Sequence, residues 1–350
     1  MAAYTTIDDP EAYFQVKTYA GTGSTLSPTL DGDTDMQPDM VWIKAYNYTS
    51  DHRLFDAVRG ATKMIKPSET EAEGTESTAL TAFNSDGFTV GTSGDVNNSS
   101  YDYVAWCWKA NGSGSSNTDG SINTAATSAN TTSGFSINTY TGTGANATVG
   151  HGLGAIPHVV VCKSRSNSLQ WFNYHQAVGN QRYMNWDDNG AKNDSDSANF
   201  WNSTTPTSTV FSIGVEDSVN GSTKTFVAYC WAPIQGFSKF GSFVGNGNVD
   251  GAFVYTGFRP AFLIIKCATR AGTDIWTMYD NKRGQNVISN ALGVDVNAAE
   301  RSSADVDFLS NGFKTRIATT DVNPSGETAV YIAFAEAPFV NSEGVPNNAR

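Results

Sequence analysis

The sequence predicts an all-β protein of three tandem, divergent β-sandwich modules, jelly-roll or lectin-like in size, each of about 100 residues. Three observations predict it. A set of landmarks recurs three times in the same order, the apolar runs are too short for helices, and the polar residues are mostly turn formers rather than charges. Only 16 % of the 350 residues are charged, so Ser, Thr, Asn and Gly must supply much of the polar surface, and these favour strands and turns over helices.

The first landmark is an aromatic followed by spaced glycines: Tyr19-Ala20-Gly21-Thr22-Gly23, Tyr140-Thr141-Gly142-Thr143-Gly144 and Phe243-Val244-Gly245-Asn246-Gly247. The second is a proline, an apolar run and a lysine six positions on: Pro38 to Lys44, Pro157 to Lys163, Pro260 to Lys266. Such runs, continuous and β-branched, suit strands buried on both faces, with the proline at the strand start and the lysine head leaving the core for water. The third is a terminal apolar strand: Tyr103–Trp108, Phe226–Trp231 and a segment beginning at Tyr331, which the pattern sets against Tyr103 and Phe226. Side chains alternate in a strand, so Val104, Trp106 and Trp108 share one face, expected to meet a neighbouring module or subunit; Tyr103, Ala105 and Cys107 share the other. Turn dipeptides at Asp86-Gly87, Asn111-Gly112, Asn189-Gly190, Asn220-Gly221 and Asn311-Gly312 separate the runs.

The prolines lie 119 and 103 residues apart, and the excess is a Gly/Ser/Asn/Thr tract. This divides the chain into an N-terminal docking arm (1–12), module one (13–110), a flexible linker or surface strap (111–134), module two (135–233), module three (234–339) and a C-terminal tail (340–350). Modules two and three, with no linker, are expected to pack rigidly, and the first to be more independent. The arm is expected to dock onto another protein, so that deleting residues 1–12 would block assembly and leave the fold intact.

The net charge of −12 without a Lys/Arg cluster argues against nucleic acid, and no run of 18 apolar residues argues for a membrane span. No secretory leader pattern opens the chain. The four cysteines, Cys107, Cys162, Cys230 and Cys267, sit singly inside apolar runs and are expected as buried free thiols. Asp31-Gly32-Asp33-Thr34-Asp35 begins like a calcium loop, but Met36 and Trp42 stand where the loop needs Gly and Glu, so a solvated turn is expected and no metal or cofactor. The histidines His52, His151, His158 and His175 form no metal or nucleophile motif, and no carboxylate pair stands out for sugar cleavage, so catalytic residues are not expected.

Two groups remain. Asp56 with Arg59, and Asp280 with Arg283, recur at matching positions, which suggests local ion pairs that shape a turn; an exposed pair of this kind is worth under about 1 kcal/mol. Of the eight tryptophans, Trp186 and Trp201 flank a polar loop; with Asp187, Asp188 and Asn189 they form the expected glycan-facing surface.

The opening Tyr4-Thr5-Thr6-Ile7-Asp8-Asp9-Pro10-Glu11-Ala12-Tyr13-Phe14 resembles the start of proteins from marine bacteriophages. Val41-Trp42-Ile43-Lys44, Leu54-Phe55-Asp56-Ala57-Val58-Arg59-Gly60, Tyr103–Lys109, Gly150-His151-Gly152-Leu153-Gly154 and Ser310–Lys314 are similar to the same family across nearly the whole chain. That family carries an uncharacterised repeated β-rich domain treated as a virion or tail-fibre-like component; the second module departs from it by lacking Phe-Asp-x-x-Arg-Gly. The resemblance implies a non-enzymatic structural component on the particle surface (tail fibre, adaptor or head decoration), assembled in the host bacterial cytoplasm. Its partners would be other virion proteins and itself, as a trimer, with host attachment through a surface glycan. A lectin-like receptor-recognition module is the alternative, and a polysaccharide depolymerase the third reading.

Overall fold

The computed structural model describes residues 4–193, 197–270, 272, 274–284 and 287–346. Nearly all its regular structure is strand; the α-helices among the described residues have four or five residues each. The recurring landmarks build one four-stranded antiparallel unit three times. In the first repeat its strands are Phe14–Ala20, Met40–Ala45, Arg53–Asp56 and Asp102–Trp108. The second repeat uses Phe135–Thr141, Val159–Ser164, Phe172–His175 and Thr225–Trp231. The third uses Ser238–Val244, Phe258–Cys267, Thr277–Asp280 and Thr328–Pro338. Each time the fourth strand inserts between the first and second, with the third beyond the second.

The ladders correct one alignment. Trp106 faces Val16 and Trp42, Tyr229 faces Ile137 and Val161, and Ile332 faces Phe240 and Ile264. The counterpart of Tyr103 and Phe226 is therefore Ala329, two residues before Tyr331. That strand is apolar at nearly every position, and a uniform run carries no register.

The glycine motif has a backbone cause. A Cβ on Gly21, Gly142 or Gly245 would lie 2.0–2.4 Å from a carbonyl oxygen (of Asn98, Gly221 or Pro324), and Gly23, Gly144 and Gly247 adopt φ of +63 to +73°. A buried asparagine clamps each loop. Asn97 Nδ2 donates to Gly91 O and its Oδ1 accepts from Thr22 N; Asn220 makes these bonds to Gly214 and Thr143, and Asn323 to Ile317 and Asn246.

The expected three separate sandwiches do not form. Alternate residues of each sheet, among them Phe14, Trp42, Trp106 and Trp108, then Val161, Tyr229 and Trp231, then Phe262, Ile264, Ile332 and Phe334, join one core shared by all three repeats. The opposite faces of the first two sheets pack under their own covers. Val41, Ile43, Phe55 and Cys107 lie with Leu80, Phe88 and Val90; Val160, Cys162 and Cys230 lie with Val149, Trp201 and Phe211. All four cysteines are buried and free.

The repeats close on one another in a ring. Glu73 N donates to Arg165 O (2.9 Å), Lys192 N to Ala268 O (3.0 Å) and Glu300 N to Tyr46 O (2.7 Å), linking first to second, second to third and third to first. The first repeat is thus joined to both neighbours by main-chain bonds of the kind that joins those two to each other, rather than set apart by the linker. The linker is likewise built in: Ala126–Asn130 pairs with Phe135–Thr139 at the edge of the second sheet, and Ile122 enters that repeat's outer core.

The N-terminal arm docks on its own chain. Thr5 Oγ1 donates to Gln235 O (2.7 Å), Asp8 accepts from Ser342 N (2.7 Å), and Ile7 is buried in the shared core. Burying one such side chain is worth about 1.5–3 kcal/mol, so residues 4–12 are part of the fold rather than a detachable hook. The lysines ending the second strands are also not where expected. Lys44, Lys163 and Lys266 are buried and donate to backbone carbonyls: of Tyr48; of Thr70 and Leu169; and of Asn189 and Asp274. Neighbouring loops cover the strand ends, leaving no route to water.

Candidate functional site

The recurring charged residues all converge on the joints between repeats. Asp56 ends the third strand of the first repeat, and the chain turns so that Arg59 N donates to its Oδ1 (2.8 Å) and Arg59 Nε to its Oδ2 (2.5 Å). Arg59 also donates to Glu73 Oε2 (3.2 Å) and Leu54 O (3.2 Å), while Tyr229 OH of the second repeat donates to Asp56 Oδ2 (2.6 Å). The third repeat repeats this: Arg283 N and Nε reach Asp280 at 3.0 and 2.8 Å, Arg283 reaches Glu300 (3.0 Å), and Trp106 Nε1 of the first repeat donates to Asp280 (3.1 Å). In the second repeat His175 takes the aspartate's place. Its Nδ1 accepts from Ala177 N (3.2 Å), which leaves Nε2 to donate to Tyr331 O of the third repeat (3.2 Å). The four side chains Asp56, Arg59, Asp280 and Arg283 are at most 1 % exposed, so the turn-shaping ion pairs expected from the sequence are buried corners, where the figure for an exposed pair does not apply.

A second set of joints lies just before each third strand. Trp171 Nε1 donates to Lys66 O (2.9 Å) and Glu69 O (3.1 Å) of the first repeat, and Trp276 Nε1 to Asn185 O (2.7 Å) of the second. His52 closes the ring. Its Nδ1 accepts from Trp42 Nε1 (2.8 Å), and its Nε2 donates to Gly293 O of the third repeat (2.9 Å). Burial pushes His52 down to about 3 and His175 to about 4, so both rings are neutral near pH 7. Asp187 and Asp295 hold Trp171 N (3.0 Å) and Trp276 N (2.9 Å); burial raises both carboxyls to about 6. Burial also lowers Lys44 and Lys163 to about 8.

The expected glycan-facing residues do not gather at one surface, and among the described residues only Asn189 of the five bonds to the third repeat. Trp186 and Trp201 are each 2 % exposed: Trp186 stacks near Trp171 in the shared core and Trp201 lies in the second repeat's outer core. Neither indole offers a face to a sugar, which corrects the sequence reading. Asp187 is held by Trp171, Asp188 accepts from Gly190 N (2.8 Å) and Gln170 (3.3 Å), and Asn189 O accepts from Lys266. Residues 194–196 of that loop lie outside the described residues. The Asp31–Asp35 turn is tied down by Gln15, Glu11 and Asp9, and no group of three metal-binding side chains occurs among the described residues.

The clamp residues Asn97, Asn220 and Asn323 escaped the sequence reading, although a signal was present. Val96-Asn97, Val219-Asn220 and Val322-Asn323 each stand six residues before the counterpart position of the fourth strand.

The raised carboxyls make a pH prediction. A folded pKa above the unfolded value means that charging the group costs stability, a cost absent below the unfolded pKa and complete above the folded one. Asp187→Asn removes that charge while keeping an acceptor for Trp171 N. It is expected to be more stable than the parent by about 1–2 kcal/mol at pH 7, with the advantage fading between pH 6 and pH 4. Urea unfolding at the two pH values checks it; an advantage independent of pH would contradict the assignment.

One family model, described as a domain of unknown function (DUF7483), matches residues 9–338. No curated protein and no solved structure matches the chain.

Proposed function

We propose that the chain, which belongs to the DUF7483 family, is a non-enzymatic structural component of a bacteriophage particle, displayed on its surface. The observation that carries the reading is the ring of joints. The recurring charged and aromatic side chains are committed to locking three repeats into one body, as a load-transmitting part requires and as a substrate cleft does not. The resemblance of the opening segment and of the Phe-Asp-x-x-Arg-Gly corner to marine phage proteins supports the same reading. Contact with other virion proteins, self-association as a trimer and a role in host attachment belong to the proposal. Particles banded by density and analysed by quantitative mass spectrometry should contain the chain in a fixed ratio to the major capsid protein. Recovery solely in the soluble fraction of lysed host cells would overturn it.

A further inference from the structure

The third repeat's sheet is extended to eight strands and ends on two edges, Ser238–Val244 and Phe253–Tyr255. The edges approach without pairing, and side chains span the gap. Lys239 Nζ donates to Tyr255 O (2.8 Å) and lies 5.2 Å from the centre of the Tyr255 ring. Tyr4 closes the third side: its hydroxyl lies 3.0 Å from that of Tyr255 and donates to Gly257 O (3.0 Å). Between them opens a cleft of about 370 Å³, lined by Tyr4, Pro233, Gln235, Lys239 and Tyr255 among others. That volume lies in the range of small-molecule sites, about 300–1,000 Å³.

The lining has a chemical bias. Tyr255 is 45 % exposed, and Pro233 adds a second apolar surface beside it. Aromatic and apolar faces next to hydrogen-bonding groups match a pyranose, which has a C–H face and a rim of hydroxyls. Two phenol hydroxyls and the Gln235 carboxamide, which makes no hydrogen bond among the described residues, meet such a rim. The lining holds one ammonium and no carboxylate. Lys239 is held by a carbonyl and a ring face, neither of which cancels its charge. In a chain of net charge −12 such a site attracts an anion only at close range, within about one Debye length of ~10 Å.

We propose that this cleft binds an acidic saccharide, with the sugar ring on Tyr255, its carboxylate on Lys239 and its hydroxyls on Gln235 and Tyr4. The site does not depend on where the protein resides. Titration calorimetry on the full chain with trigalacturonate and with neutral maltotriose tests it. Saturable binding that favours trigalacturonate is expected. Tyr255→Ala should weaken it about tenfold, and Lys239→Met should remove most of the preference for the acidic sugar, about tenfold, while Lys239→Arg keeps it. Gln235→Ala, at an exposed position, should weaken binding with an unchanged urea midpoint, which covers the case that Tyr255→Ala fails to fold. No saturable binding at millimolar sugar, equal affinity for the two sugars, or wild-type affinity in Gln235→Ala and Tyr255→Ala would each overturn the proposal. So would a concentration-dependent dimer lost in Tyr255→Ala without sugar binding, which would make the edge a contact between copies.

Discussion

Asp56→Ala is expected to destabilise the protein by about 3–5 kcal/mol, the range for removing one partner of a buried ion pair. Arg59 would keep its charge in a site with no exposed side-chain surface, left with Glu73 at 3.2 Å and two carbonyls. Tyr229 OH would lose the acceptor that ties the second repeat to the first. The cost comes from the under-compensated guanidinium, left to share Glu73 with Arg165, rather than from the worth of the pair, and a double variant separates the two. Asp56→Ala with Arg59→Met removes both charges and should recover at least half of the loss in urea unfolding. If the single substitution costs under about 1 kcal/mol, the corner behaves as an exposed ion pair, and its buried geometry is wrong.

What the sequence shows of this fold follows from which interactions are local. The Pro-to-Lys segments read as strands because Val159–Cys162 and Phe262–Ile265 are short, β-branched or aromatic and apolar throughout, a property of the segment itself. The Gly-x-Gly loops were legible for the same reason. The ring was not. The glutamate of each ion-pair corner, the loops over Lys163 and Lys266, and the carbonyls that receive Trp171 and Trp276 lie 6 to 105 residues from their partners, or in another repeat, and nothing in the strand pattern announces them. Burial of Asp56 and Trp186 depends on those same distant elements, so the sequence left the depth of the polar corner open and made a loop-flanking tryptophan look solvated. The lesson at Asn97, Asn220 and Asn323 differs. That motif repeats in the sequence but is only two residues long, too little to stand out until the backbone shows the loop it clamps.

The shared core makes the largest packing prediction, Trp108→Ala. Trp108 lies on the first repeat, yet its ring is 4.9 Å from Phe14, 6.5 Å from Trp231 of the second repeat, and 5.6 Å from both Phe262 and Phe334 of the third. Truncating a buried aromatic of this size costs about 3–5 kcal/mol, the upper part of the range where the surroundings cannot collapse. Here three sheets fixed by the ring of joints face the void, and the core already contains a gap of about 10 Å³ between Trp108, Trp186 and Trp231 that they have not closed. The indole N–H of Trp108 has no acceptor among the described residues, so the loss is one of packing. Trp108→Phe, which drops that donor and keeps most of the apolar surface, should cost far less than alanine. The shape of the transition carries the stronger test. Three sandwiches on a string would unfold in separate steps, and a lesion in the first would leave the other two unmoved. A core to which all three repeats contribute couples them, so the whole chain should unfold in one transition that Trp108→Ala shifts as a unit, read alike by tryptophan fluorescence and far-ultraviolet circular dichroism. Two transitions of which only one responds would mean that the repeats are thermodynamically separate, and that the joints between them hold position without contributing to stability.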